Sequence, residues 1–136
     1  SWRSDLGVSN SVYPVINLDA RADIWPLAHI KDLKAILSIN MIHVSPWEAC
    51  LGLLKNARHL LPLGGVLYLY GPFKIGCIHT AQSNADFDLS LKSQDSSWGV
   101  RSLDAVAEQA LKQNFQLMKT VRMPANNLSV IFHKKD

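Results

Sequence analysis

A carboxamide, a thioether and an imidazole stand together at the end of one long apolar run. Ala35-Ile36-Leu37-Ser38-Ile39-Asn40-Met41-Ile42 is followed directly by His43. Imidazole titrates near neutrality and can take a proton from a reacting group, while a carboxamide both donates and accepts hydrogen bonds. Asn40 and His43 are therefore candidates for binding and for acid–base work. Each also has a structural alternative: Asn40 satisfying loop backbone, His43 packed in the core. Tyr70 closes a second apolar run, and Asn84, Asp86 and Asp88 sit in the long polar stretch behind it, as pocket residues or as solvated caps and turns. Asn126 and Asn127 fit either a binding role or a turn that tolerates positive backbone angles. Trp47 and Trp98 could stack on a flat ligand or fill core. Cys77 and His79, two residues apart, match no structural zinc spacing, so no metal site is expected. No Gly-x-Ser-x-Gly elbow anchors a hydrolase triad.

These residues need elements to hold them. Val15 to Leu18, closed by Asp19, is the first strand candidate after a polar, irregular opening from Ser1 to Ser11. The near-continuous apolar character of Ala35 to Ile42 predicts a central strand covered on both faces. Open α/β sheets place ligands at the C-terminal ends of such strands, which is where Asn40, Met41 and His43 fall. Ser45, Pro46 and Glu48 spell a helix start with a capping box. Cys50, Leu53, Leu54, Ala57, Leu60 and Leu61 then follow at helical spacing, to be laid on the sheet. Pro62 and Gly64-Gly65 end that helix, and Val66 to Tyr70 resumes as strand. Within Gly71 to Arg101 a short helix is expected behind Ser83 and Asp86 as a capping pair. Ser102 caps a further helix ending near Asn114. Two alternating strands finish the chain. Phe115, Leu117, Val121 and Met123 are expected on one face of the first, and Leu128, Val130 and Phe132 on one face of the second, with Pro124 to Asn127 as the turn.

The 136 residues are 48% hydrophobic and 18% charged, which predicts one globular domain over residues 1–136. No apolar run approaches a membrane span and no secretory signal opens the sequence, so an intracellular, cytoplasmic protein is expected. Cys50 and Cys77 form no paired motif and are expected as reduced, packed thiols. With a net charge of +3 and scattered Lys and Arg, nothing marks a nucleic-acid surface.

Alternating strands and helices closed by an antiparallel hairpin resemble the C-terminal part of class I methyltransferases. Five phrases sharpen the resemblance: Ile39 to Trp47, Leu69 to Phe73, Ser83 to Asp88, Trp98 to Arg101 and Met123 to Asn127. Together, from about Leu18 to Phe132, the chain resembles the DUF938 (UPF0585) family, the methyltransferase-like 26 group. The resemblance implies an α/β fold, a partial Rossmann-like sheet of parallel strands with a C-terminal antiparallel hairpin, and S-adenosylmethionine as cofactor for an undefined acceptor. It implies Asp19, Asn40 and Met41 on the cofactor side, Tyr70, Asn84, Asn126 and Asn127 on the substrate side, and His43 as the catalytic candidate. Family members begin with a strand and a Glu-x-x-Ser-Gly-x-Gly-type loop, and this sequence contains no such segment; Gly64-Gly65 lies after a helix and before a strand, the reverse of a cofactor loop. The expectation is a sheet without its first two strands, inactive by itself, or else a noncatalytic interaction module. The strand edge left open would be filled by Val15 to Leu18 or by a second copy of the chain in a homodimer.

Overall fold

The structure, a computed structural model, describes Gly7 and residues 11–136; apart from Gly7 and Ser11, the polar opening lies outside the described residues. Apolar stripes and turns build strand β1 (Ala35–Ile39), helix α1 (Trp47–Leu60), strand β2 (Val66–Gly71), helix α2 (Gln82–Gln94), helix α3 (Leu103–Lys112), and strands β3 (Phe115–Met123) and β4 (Asn127–Lys134). The sheet runs β1-β2-β4-β3, with β1 and β2 parallel and the other pairings antiparallel. This is the mixed α/β sheet with a closing hairpin that the sequence predicts.

Packing rather than capping holds α1 and α3. Cys50, Leu53, Leu54 and Ala57 of α1 and Val106 and Ala110 of α3 share one buried cluster with Leu67, Leu69, Val130 and Phe132 of the sheet. Burying a leucine or phenylalanine stabilises by about 1.5–3 kcal/mol, whereas a side-chain cap contributes about 1 kcal/mol. None of the three helices has a side-chain cap hydrogen bond. The predicted capping box at Ser45 and Glu48 does not form: the Ser45 hydroxyl turns back to donate to the Met41 carbonyl, and Pro46 occupies the cap position. Ser83 and Asp86 do not cap α2 either, because the helix starts at Gln82 and Asp86 accepts from the Gln82 side chain at 3.0 Å.

Five other expectations are corrected. Val15 to Leu18 forms no strand and is exposed, since a four-residue segment has no ladder to join without a neighbour. The β1 strand stops at Ile39; Ile42 is buried, but in the turn that follows. Nor is β1 central. It is an edge strand whose second face, carrying Leu37 and Ile39, is 64% and 62% exposed because both packed helices lie on the other side. In β3 a bulge between Leu117 and Lys119 reverses the alternation. Leu117 pairs with Phe132 on the core face, whereas Val121 pairs with Ser129 on the opposite one. Of the two cysteines, Cys50 is buried and its thiol is pushed up to about 12 by that burial. Cys77 is exposed rather than packed.

A segment before β1 is locked onto α1 by close approach. The Asn56 carboxamide accepts from the Trp25 backbone at 2.9 Å and donates to the Ala22 carbonyl at 3.1 Å. A Cβ at Gly52 would stand 1.9 Å from the Ala20 carbonyl oxygen. Gly52→Ala should therefore destabilise. The helix-propensity gain of roughly 1 kcal/mol is outweighed by overpacking against backbone, which costs about 1–3 kcal/mol. A lower urea midpoint is expected, and an unchanged or higher one would mean that Ala20 does not sit on α1.

Candidate functional site

Immediately after β1 the chain makes a tight turn on the Asn40 carbonyl, which accepts from His43 N at 3.1 Å and Val44 N at 3.2 Å. Asn40 takes a left-handed φ of 61°, a conformation that asparagine adopts more readily than most residues. Its own N–H still reaches Tyr70 O at 2.8 Å, so the turn hangs directly from the β1–β2 ladder. Three successive directions result. Asn40 lines one cleft, Met41 lines a second, and His43 points into the protein.

The first cleft, of about 380 Å³, is walled by α2 and the β3–β4 turn and gathers Asn40, Asn84, Asn126 and Asn127 with Pro72 and Phe87. Asn84 is buried, and its amide donates to Thr80 Oγ1 at 3.2 Å and to the Asn126 carbonyl at 3.0 Å, tying α2 to the hairpin turn. Positive angles occur there at Ala125 and Asn126, φ 62° and 59°, while Asn127 is already extended. So one asparagine, not two, answers the turn's backbone demand. The second cleft, of about 490 Å³, brings Asp19 together with Met41, Ser45, Asp95 and Trp98. Asp19 is exposed and its carboxylate is held by Arg21: Oδ1 accepts from the backbone at 2.9 Å and from Nε at 3.1 Å, and Oδ2 from Nη2 at 3.0 Å. Those hydrogen bonds hold the Asp19 carboxyl below the usual range. Another depression of about 350 Å³, between α1 and α3, contains none of the predicted residues.

Trp47, Asp86 and Asp88 line neither cleft, and neither do Tyr70 and His43. Tyr70 pairs with Ile39 and is half-buried on the sheet face away from α1 and α3. His43 is fully buried, edge-on to Phe73 with centroids 4.8 Å apart. Its Nδ1 accepts the Arg101 N–H at 2.9 Å, which places the ring proton of the neutral form on Nε2. Nε2 lies against Gly71, where any Cβ would come within 2.5 Å, and it has no partner among the described residues. Burial first, then the nearby Arg101 charge, lowers the His43 pKa to about 3.

The pattern reading missed the strap that joins these parts. Gly99 N donates to the His43 carbonyl at 3.0 Å, Val100 N to Asp88 Oδ1 at 2.9 Å, and Arg101 N to the His43 ring. The Arg101 side chain then donates to Ile42 O at 3.0 Å and to Ser45 O at 2.8 Å, and its guanidinium lies 5.5 Å from the Trp47 ring centroid. Asp88 is buried at the centre of α2 and also accepts from His79 at 3.2 Å and Lys92 at 3.1 Å. Burial pushes its carboxyl upward, but the Val100 hydrogen bond and Lys92 outweigh that, so it stays ionised below the ordinary range. The phrase Trp98-Gly99-Val100-Arg101 was the available signal: Trp98 reaches the Asp19 cleft, and a Cβ at Gly99 would press on Asp88 Oδ1 at 3.0 Å.

The His43 environment predicts a pH response. With a folded pKa near 3 against about 6.5 unfolded, only the unfolded chain binds this proton between those values. Stability from His43 is thus constant above roughly pH 6.5 and falls by about 1.4 kcal/mol per pH unit as the solution is acidified through that window. The ring resonances of His43 should not titrate between pH 8 and about pH 4.5. A midpoint near 6.5 would show the ring to be accessible and the strap absent.

Comparison with solved structures agrees with this geometry. LaPhzM superposes with a TM-score of 0.76 at 14% identity, over 98% of this chain and 38% of its own. An O-methyltransferase family protein from Burkholderia thailandensis gives 0.71 at 15%, over 98% and 39%. CalO1, a methyltransferase in calicheamicin biosynthesis solved with S-adenosylhomocysteine (SAH) bound, gives 0.62 at 12%, over 74% and 29%. The chain thus has a methyltransferase-like fold and spans well under half the length of these proteins. Its sequence matches the family described as "Protein of unknown function (DUF938)" over residues 1–134, so the chain belongs to that family.

Proposed function

We propose that this chain supplies the acceptor-side part of an S-adenosylmethionine-dependent methyltransferase. One observation carries the reading: Asn40 and Met41, consecutive in a single turn at the C-terminal end of β1, line two different clefts. Two ligands, one in each cleft, would approach each other across that turn. The Met41 cleft fits the flat, nitrogen-rich end of the cofactor, with Trp98 and Met41 as apolar surface and Asp19 at the rim. A carboxylate has about four acceptor positions, and Arg21 uses three, leaving one on Oδ2 for an amino or hydroxyl hydrogen. The glycine spacing for the other end of the cofactor does not occur in this sequence. The cofactor, when bound, supplies a methyl group on a positively charged sulfur.

The chain's own contribution is positioning. The Asn40 turn sets the distance between the clefts, and catalysis by approximation needs no base of its own. Among the described residues no Asp, Glu, His, Lys or Cys lines the Asn40 cleft, so an acceptor's proton leaves to solvent. His43, buried and neutral, positions the turn through Arg101 and Gly99. A noncatalytic interaction module remains the second reading, supported by the exposed Leu37–Ile39 face and the open β1 edge, which could pair with a second copy.

SAH titrated into the isotopically labelled chain tests the first reading. Millimolar additions should shift the Ala20, Met41 and Trp98 amides, and Asp19→Ala should weaken that response by about fivefold to tenfold. Absence of any shift in that cleft, together with concentration-dependent dimerisation in sedimentation that Ile39→Lys abolishes, would favour the interaction module instead.

A further inference from the structure

The cleft assigned above to the acceptor has a chemistry more specific than its position. Among the described residues its lining includes four asparagines and no charged side chain. Asn84 is 4% exposed, and both of its N–H donors are engaged, by Thr80 Oγ1 and by the Asn126 carbonyl. Its carbonyl oxygen has no partner among the described residues. Unlike the sealed nitrogens of His43 and His79, this oxygen is reachable from outside, so it can accept a hydrogen from a ligand in the cleft.

The side chains of Asn40 and Asn126 likewise make no hydrogen bond among the described residues, so each offers a donor and an acceptor to the cleft. Their backbones are held at positive φ together with Ala125, a residue whose side chain gives no local reason for it. Left-handed geometry at a non-glycine residue costs on the order of 1–2 kcal/mol. Three of the five such residues among those described, Asn40, Ala125 and Asn126, line this one cleft, as at sites whose surroundings fix a binding geometry in advance. Phe87, 39% exposed on α2, and Pro72 at the end of β2 give the cleft its apolar walls.

We propose that this cleft binds an uncharged, flat ligand that donates a hydrogen bond from N–H or O–H to Asn84 and exchanges further bonds with Asn40 and Asn126. This rests on reading the cleft as the acceptor site, and it names the acceptor's class: a carboxamide, a phenol-like hydroxyl or a heterocyclic N–H. A carboxylate or phosphate finds no cation here among the described residues and has no hydrogen to give Asn84. An ammonium group could donate, but it would leave water without a counter-charge. A flat ring suits the face of Phe87, and a volume of about 380 Å³ lies at the small end of ligand cavities.

Three matched fragments, benzamide, benzoate and benzylamine, titrated at neutral pH into the labelled chain without cofactor, test the proposal. Benzamide should saturably shift the side-chain amide resonances of Asn84, Asn40 and Asn126, with benzoate and benzylammonium at least about tenfold weaker. Phe87→Ala, at a partly exposed helix position, and Asn126→Gly, which keeps the positive φ and the carbonyl that Asn84 needs, should each weaken benzamide by at least about threefold. Equal or tighter binding of either charged fragment, shifts confined to another surface, no response to benzamide, or indifference to both substitutions would each overturn it. Because no cofactor is present, failure here leaves the SAH response of the Met41 cleft intact, whereas failure of the methyltransferase reading appears in that response.

Discussion

Two buried residues from distant parts of the sequence, His43 and Asp88, together hold three consecutive residues, and the site depends on that grip. Gly99, Val100 and Arg101 would otherwise be an ordinary connection between α2 and α3. With their N–H groups given to the His43 carbonyl, the Asp88 carboxylate and the His43 ring, they become a strap joining the turn after β1 to α2. Hydrogen bonds to charged groups contribute about 1.5–3 kcal/mol, and the Asp88 bond is of that kind. Arg101 extends the strap to the start of α1 through Ile42, Ser45 and Trp47.

The grip explains how α2 can be held at all. Its buried residues are Asn84, Asp88 and Leu91, so hydrogen bonding replaces the apolar stripe that anchors α1 and α3. Asn84 fastens one end to the hairpin turn and Asp88 fastens the middle to the strap. The two clefts lie on either side of the Asn40–Met41 turn, and both have a wall in this arrangement: α2 for one, Trp98 for the other. Polar anchoring allows the Asn40 cleft to be rich in amides without loosening the helix that forms its wall.

Much of the fold was legible because it rests on periodicity. The α1 stripe from Cys50 to Leu61, the alternation of Leu128, Val130 and Phe132, and the hairpin turn at Pro124 all follow from local pattern, as does membership of the DUF938 family from five short phrases. What escaped depends on neighbours that no local window contains. Val15 to Leu18 has strand composition but no partner, Ile42 is buried in a turn rather than a strand, and one bulge at Met118 sends Val121 to the opposite face from Leu117. The site divides in the same way. Asn40, Asn84, Asn126 and Asn127 share one cleft and Asp19 and Met41 another, whereas His43 and Tyr70 line neither. The Trp98 to Arg101 phrase marked the strap without revealing its role, because Val100 and Arg101 find their partners 12 and 58 residues away.

Native-state hydrogen exchange at Gly99, Val100 and Arg101 tests the central claim most directly. Loop amides ordinarily exchange through local fluctuations. If His43 and Asp88 hold these three as described, their exchange should instead require the global opening that releases Leu67 and Leu69 in β2, with the same dependence on denaturant. Fast exchange at Val100 and Arg101 while β2 stays protected would contradict the account, since the strap, and with it the fixed spacing of the two clefts, would not exist.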